Sequence, residues 1–482
     1  MNSARSISLI MGALLILLGV FMLAPMMTDF VTGSDEWRSF ATASALTLFA
    51  GAILMLVARG GQLQMSLHAA FILTTVSWVV MAAFATLPFM LNQTPLSFAD
   101  AYFETMSGLT TTGSTMMSGL DDLPKGILLW RALLQWLGGV GIIVIAMAVL
   151  PMLRVGGMQL FRDEWFEPMG KILPRAQAIA IGIGAAYLGL TILCAGAYWM
   201  LGISAFDAIC LSMTTLATGG FANSDASFAA YASGGADIAA NIFMVLGALP
   251  FAIYILAARG NPAALFKNAQ VRGFLILLLV LISGVTIYMV MVGENYSENA
   301  LRLAAFNVIS MVTGTGYAFG DFQRWAPALG PLFFVLMFVG GCAGSMSGGI
   351  KIFRFQVAIE GLRAFVRKML KPHLVSPLRY DGVPLPQSAL FSVYDFFFVY
   401  FACFAIAGLA LSLAGLDTTT ALSSAATAMG NVGPGLGDLV GPAGNFSSLP
   451  DFAKWVLSLT MLVGRLELFT VLVLFTPRFW VS

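Results

Sequence analysis

Apolar runs of about 20 residues recur along the whole chain, each long enough to cross a hydrocarbon layer roughly 30 Å thick. The 482 residues are 59% hydrophobic and 10% charged, with a mean hydropathy of +0.89, whereas soluble domains carry roughly 25% charge. No soluble domain of useful size is left over, so the chain reads as an all-α polytopic membrane protein. The first run, 7–23 behind Arg5, lacks a small-residue cleavage site and is followed at once by further spans. It is expected to be a retained helix and not a signal peptide.

One phrase occurs four times between these runs: "DAYFETMSGLTTTG", "DAICLSMTTLATGG", "LAAFNVISMVTGTG" and "TALSSAATAMGNVG". Aligned without gaps on Gly113, Gly220, Gly316 and Gly433, the copies share an alanine twelve positions earlier: Ala101, Ala208, Ala304 and Ala421. Six positions before the glycine each has a small hydroxyl: Ser107, Thr214, Ser310 and Thr427. An apolar segment precedes each phrase (69–91, 177–201, 273–292, 388–413) and another follows (129–151, 239–258, 330–355, 452–476). The phrase itself allows about ten residues of helix, about 15 Å at 1.5 Å per residue, too short to span.

A re-entrant helix that stops at mid-membrane and returns as extended chain fits this pattern. Non-helical backbone at that depth must be buried in protein or line a water-filled cavity, and four copies around one axis supply that cavity. Gly316 permits a positive φ that turns carbonyls toward the axis, and the partly negative helix end favours a cation there. Thr313 and Thr315 can add hydroxyl oxygens or tie the loop to its neighbours. For a single copy, small residues packing between helices would explain the glycines and threonines equally well; four copies in register favour a pore. The expected units are an N-terminal segment (1–60) and four repeats (61–152, 153–260, 261–372 and 373–482).

Charge sets the sidedness. Most of the 24 Lys and Arg, including Arg259, Lys351, Arg354, Arg363, Arg367 and Lys368, fall on one side if the N-terminus is cytoplasmic. Asp100, Glu104, Asp121, Asp122, Asp207, Asp225, Asp321 and Asp438 fall toward the other, an outer face that attracts cations. A net charge of +1 makes nucleic acid an improbable partner. Cys194, Cys210, Cys342 and Cys403 are too scattered for a zinc site or a disulfide framework. His68 and His373 fall in polar connections without clustered carboxylates, and no nucleophile with a base, paired acids or metal ligands suggests an enzyme.

With the four phrases in place, the chain resembles the Trk/Ktr/HKT superfamily of potassium uptake proteins, and within it the pore subunits of the TrkH, TrkG and TrkI type. The most specific pieces are "SGLTTTGS", "WLGGVGIIV", "LPMLRVGGMQLFR", "GGCAGSMSGGIK", "NVGPGLGD" and "GRLELFTVLVLFTPRFW". The resemblance implies two N-terminal transmembrane helices within 1–60, four membrane-pore-membrane units around one central pore, a homodimer with one pore per protomer in the bacterial inner membrane with both termini cytoplasmic, and potassium as the transported ion. No covalently bound cofactor is implied. It also implies a cytosolic TrkA-type RCK regulatory protein binding NAD(H) or ATP.

Carried over by position, the filter covers 110–114, 217–221, 313–317 and 430–434. Its ion-binding residues are then Thr111, Thr112 and Gly113; Thr218, Gly219 and Gly220; Gly314, Thr315 and Gly316; and Asn431, Val432 and Gly433. A single aligned glycine per repeat, against two in the usual potassium-channel filter, implies some sodium permeation. Thr218 and Gly314 stand where close relatives commonly have an aliphatic residue and a threonine. A gated channel-like pore and a sodium- or proton-coupled symporter both fit the sequence.

Two features break the fourfold pattern. The second helix of repeat 3 is interrupted by "GGCAGSMSGG", which holds Gly340, Gly341, Gly344, Ser345, Gly348 and Gly349. In the family such a segment is an intramembrane gating loop beneath the filter; the bland reading is a glycine-rich packing face. It is no P-loop, because Ile350 separates the last glycine from Lys351. The second feature is Arg465 in the final apolar run, a charge that costs about 2.5–3.5 kcal/mol to insert. The resemblance places it below the filter as a barrier to cations, and a structural role pinning the loop's carbonyls is compatible with that. Glu467, two residues on, is a poor partner within a helix. Asp395 is a second charge in an apolar run, with no partner legible. The basic helix "RAFVRKMLK" continues from the interruption toward the cytoplasm, as the distribution of positive charge requires, and is placed to serve as a lever for a partner.

Overall fold

The computed structural model describes residues 2–59, 66–148, 176–292, 299–373 and 378–481. The motif "LPMLRVGGMQLFR" and the boundary expected between repeats 1 and 2 lie outside them. Among the described residues, six helices are long and apolar enough to cross a membrane, or eight when each bent pair counts as one span. The only strands described are the two-residue Arg379–Tyr380 and Val383–Pro384, paired antiparallel.

The first span, Ala4–Thr32, and the second, Trp37–Val57, form a hairpin. Glycines let the two backbones meet: a Cβ on Gly12 would lie 2.7 Å from the Gly51 carbonyl oxygen, and one on Gly51 would lie 2.8 Å from that of Gly12. Asp29 docks the hairpin on repeat 1, its Oδ1 accepting the Gly126 N–H at 2.7 Å.

Each repeat has a leading span, a short helix and a following segment. The leading spans are His68–Met90, Ala180–Met200, Ala269–Val292 and Gln387–Leu413. The short helices are Phe98–Leu109, Ala205–Leu216, Ala300–Thr313 and Thr418–Gly430. Three have side-chain N-caps: Ser97 accepts from the Asp100 N–H, Ser204 from Asp207 and Asp417 from Thr420. Bonds from Thr420 hold the Asp417 carboxyl below its ordinary range.

The following segments depart most from expectation. Among the described residues, only that of repeat 1, Lys125–Ala148, runs unbroken. In repeat 2, Ala236–Gly247 and Phe251–Ala258 meet at 95°, because Pro250 cannot donate to a helical carbonyl. In repeat 4, Asp451–Arg465 and Phe469–Phe475 meet at 111°, with Glu467 and Leu468 at positive φ. In repeat 3, Leu329–Leu336 and Ile352–Leu370 are separated by the expected loop. The runs 239–258 and 452–476 are therefore broken helices, and repeat 3 is one of three interruptions.

Several charges are also not where the sequence places them. Lys351 and Arg354, assigned to the inner water interface, are buried. Glu104, assigned to the outer acidic face, is fully buried, whereas Asp438 is exposed and pairs with Arg324. His68 lies in the first turn of a helix, its ring 4.8 Å from that of Phe479, and not in a solvated connection. Asp395 is exposed on its helix.

Candidate functional site

The four short helices end in the same way. The residue two before each aligned glycine has left-handed backbone: Thr111 (φ 52°), Thr218 (φ 49°), Gly314 (φ 73°) and Asn431 (φ 52°). The next residue donates its N–H to the carbonyl of the small hydroxyl residue: Thr112 to Ser107 at 2.8 Å, Gly219 to Thr214 at 2.9 Å, Thr315 to Ser310 at 2.9 Å and Val432 to Thr427 at 3.0 Å. This is a Schellman helix end, repeated four times. The following glycine is again left-handed, with φ of 89°, 76°, 78° and 119° in repeats 1 to 4. Gly314 and Asn431 suit the first left-handed position, whereas β-branched Thr111 and Thr218 are strained there.

The four ends close into a ring in chain order. A Cβ on Gly113 would land on the Gly219 carbonyl oxygen, one on Gly220 on that of Thr315, and one on Gly316 on that of Val432. One on Gly433 would come within 2.9 Å of the Thr112 carbonyl oxygen, completing the circuit. Each aligned glycine is thus required twice, by its own φ and by the carbonyl of the next repeat. Ser114 ties the ends of the circuit, its hydroxyl donating to the Gly433 carbonyl at 2.6 Å.

The side chains around the ring differ by repeat. Thr110 and Thr112 hydroxyls bond each other at 2.7 Å, and Thr313 and Thr315 at 2.8 Å, so each pair braces its own loop, and Thr112 also reaches repeat 4. At the first left-handed position, Thr111 Oγ1, Thr218 Oγ1 and Asn431 Oδ1 are buried oxygens with no hydrogen-bond partner among the described residues. Asn431 Nδ2 donates to Thr112 Oγ1 at 2.9 Å and to the Met461 carbonyl at 3.0 Å. Gln135, on the repeat 1 following helix, grips repeat 2 from behind: Nε2 donates to the Gly219 carbonyl at 2.6 Å and Oε1 accepts the Phe221 N–H at 3.1 Å.

On one side of the ring the four glycines border an open vestibule of about 220 Å³, also lined by Arg131 and Asp225. Arg131 is buried against Glu104 (2.8 Å), donates to the Ala222 carbonyl (2.8 Å), and stacks over Phe221 at 4.2 Å. Nothing in the repeat pattern singles out Gln135, Glu104 or Arg131; sequence reading missed all three as parts of the ring's support.

On the other side lies the 340–349 loop. A Cβ on Gly348 would strike the Gly430 carbonyl oxygen and come within 2.9 Å of the Asn431 Cβ, and the Gly348 nitrogen would be 3.3 Å from a Cβ on Gly314. The loop is anchored to three repeats. Cys342 and Met346 N–H groups donate to the carbonyls of Ala248 and Gly247 at the repeat 2 bend (3.0 and 3.2 Å), while the Phe251 N–H donates to the Gly344 carbonyl at 3.0 Å. Gln270, on the repeat 3 leading helix, accepts the Ala343 N–H at 2.9 Å. From repeat 4, Arg465 donates through Nη1 to the Met346 carbonyl at 2.8 Å, while its Nε and Nη2 have no partner among the described residues.

Within the loop, Gly341 N–H donates to the Ser347 hydroxyl at 2.8 Å and Ser345 Oγ to the Cys342 carbonyl at 2.6 Å. Gly340, whose Cβ would strike the Gly348 carbonyl, and Gly349, at φ +65°, bring the two arms together. The bland reading of a glycine-rich helical face does not hold, because the segment is not helical. Glu467 does not pair with Arg465; it bonds Arg354 at the start of Ile352–Leu370.

A ring assembled from four short helices of one chain, with broken backbone on one side and an open vestibule on the other, defines a four-repeat membrane pore protein. The TrkH family, described as a cation transport protein, matches residues 37–481, and the chain belongs to that family. It is 46% identical over 98% of its length to the Trk system potassium uptake protein TrkI of Halomonas elongata, covering 96% of that protein. It is 38% identical to TrkH of Vibrio parahaemolyticus over 99% of both chains. The crystal structure of the potassium transporter TrkH from Vibrio parahaemolyticus superposes with a TM-score of 0.90 at 35% identity, over 99% of each chain. These relatives are transporters, not enzymes.

Proposed function

We propose that this chain takes up potassium across the bacterial cytoplasmic membrane through a gated, channel-like pore driven by the membrane potential. The observation that carries the reading is the closed circuit from Gly113 to Thr112, which gathers carbonyls of all four repeats around one axis. Backbone carbonyls can replace a hydration shell. The unpartnered oxygens of Thr111, Thr218 and Asn431 are further candidate ligands. At about −100 mV, one inward charge gains roughly 2.3 kcal/mol.

In this reading the 340–349 loop is the gate, and Arg465, directly bonded to it, is both its anchor and a positive barrier. A cytosolic nucleotide-binding regulator of the TrkA type, with ATP or NAD(H) as its ligand, acts on the exposed end of Ile352–Leu370, where Arg363, Arg367 and Lys368 cluster on the helix that leaves the loop. The functional protein is a homodimer with cytoplasmic termini, one pore per subunit.

Flux into liposomes holding the purified protein, under potassium, sodium and lithium gradients, tests the reading. Passive, potassium-preferring flux with some sodium leak is expected. Flux that requires a second ion gradient would make the protein a sodium- or proton-coupled symporter instead.

A further inference from the structure

Two consecutive carbonyls of the 340–349 loop are held by buried cations. Arg465 takes the carbonyl of Met346, and the next carbonyl, that of Ser347, accepts from Lys351 Nζ. Lys351 is only 7% exposed. It lies two residues after Gly349, whose left-handed backbone (φ +65°) turns the chain so that the ammonium reaches back to its own loop. The nearby carboxylate of Glu467 is already engaged by Arg354, and the Lys351 ammonium donates to a backbone dipole instead.

We propose that Lys351 is a gate-positioning residue, the second half of a two-cation clamp with Arg465 that holds the loop against the underside of the ring. An ammonium withdrawn from water is destabilising unless fixed dipoles replace its hydration. The Ser347 carbonyl does so only while the loop is folded back. Releasing the loop separates Lys351 from Ser347 and Arg465 from Met346 together, because the two carbonyls belong to adjacent residues. The same two charges place positive potential on the path a cation takes below the ring, so holding the loop and repelling the ion are done by the same side chains. This inference rests on the pore reading above.

The test uses full-length protein in liposomes without a regulator. Lys351→Met and Lys351→Gln are expected to raise cation flux several-fold, while Lys351→Arg, which keeps a donor and a charge, stays near the starting value. Adding Arg465→Ala to Lys351→Met should raise flux by less than the product of the separate effects, as expected for two groups acting on one element. Cys342 gives a readout independent of flux: it lies in the loop and is fully buried. With Cys194, Cys210 and Cys403 replaced by alanine, thiol labelling of Cys342 from the side opposite the vestibule should accelerate in Lys351→Met and not in Lys351→Arg. Unchanged labelling and flux in folded Lys351→Met and Lys351→Gln proteins would overturn the clamp while leaving the pore reading intact, as would Lys351→Arg behaving like Lys351→Met. Accelerated labelling with no cation flux in any protein would support the clamp and overturn the pore reading.

Discussion

Arg131 and Glu104 form an ion pair at 2.8 Å with both side chains out of solvent, at 1% and 0% exposure. The carboxylate also accepts the Met116 N–H at 2.7 Å, just beyond the repeat 1 end of the ring. Removing one member of a buried pair leaves the other uncompensated, at a cost of about 3–5 kcal/mol. Arg131→Met is therefore expected to lower the thermal unfolding midpoint in detergent strongly. Arg131→Met combined with Glu104→Leu should be less destabilised than Arg131→Met alone. If Arg131→Met were as stable as the parent, the pair would not brace this end of the ring.

Gln135 supplies the hydrogen bonds that hold Gly219 and Phe221 from behind. Gln135→Leu keeps the bulk and removes both, leaving buried backbone groups unsatisfied at about 1–3 kcal/mol each. The expected outcome is a lower potassium-to-sodium flux ratio with the protein still assembled. Reversal potentials under mixed gradients measure it.

Glycines at positive φ separate into two kinds. A Cβ added to Gly202 (φ +96°) would have nothing within 4 Å, whereas a Cβ on Gly316 would meet the Val432 carbonyl. Gly202→Ala should incur only backbone strain, about 1–2 kcal/mol, and leave transport unchanged. Gly316→Ala adds a collision across the repeat boundary and should abolish selective flux.

Arg354 and Glu467 join the repeat 3 helix that leaves the loop to the repeat 4 bend. Displacing Ile352–Leu370 must disturb that bond, which makes the pair a natural coupling point between a regulator and the gate. Glu467→Gln is expected to raise regulator-independent flux, and with Arg354→Met the effects should be non-additive in a double-mutant cycle. Additive effects would separate the pair from gating.

Asp417 caps the fourth short helix through the Thr420 N–H, and its carboxyl is held below the ordinary range. A depressed carboxylate stabilises the fold above its unfolded pKa, near 3.9, and the stabilisation is lost as pH falls through the lower folded value. Asp417→Ala should cost about 1 kcal/mol at neutral pH. The difference from the parent should shrink in acid, which unfolding midpoints followed from pH 7 downward would show.

The ring was legible because its requirements are backbone requirements. The same alanine, small hydroxyl and glycine in register four times mark a short helix that stops at a glycine, which any alignment of the phrases exposes. Even so, the need for left-handed backbone at Thr111 and Thr218 was hidden, since threonine does not advertise it as Gly314 and Asn431 do. The bend in repeat 2 had a signal in Pro250. The bend in repeat 4 had none, because Glu467 and Leu468 adopt positive φ without glycine. Lys351, Arg354 and Glu104 were misplaced for one physical reason: a rule for charges at the water interface carries no information about charges that tertiary packing buries. Gln135 and Gln270 carry no pattern, and only contacts from other repeats reveal what they hold.

The most direct test of the account is the potassium-to-sodium permeability ratio of reconstituted protein carrying Gly113→Ser, Gly220→Ser, Gly316→Ser or Gly433→Ser, one at a time. The closed circuit predicts that every one of the four lowers the ratio or abolishes flux, because each glycine faces a carbonyl of the next repeat. A folded variant among the four that kept the parent's ratio and flux would contradict a pore built from all four repeats.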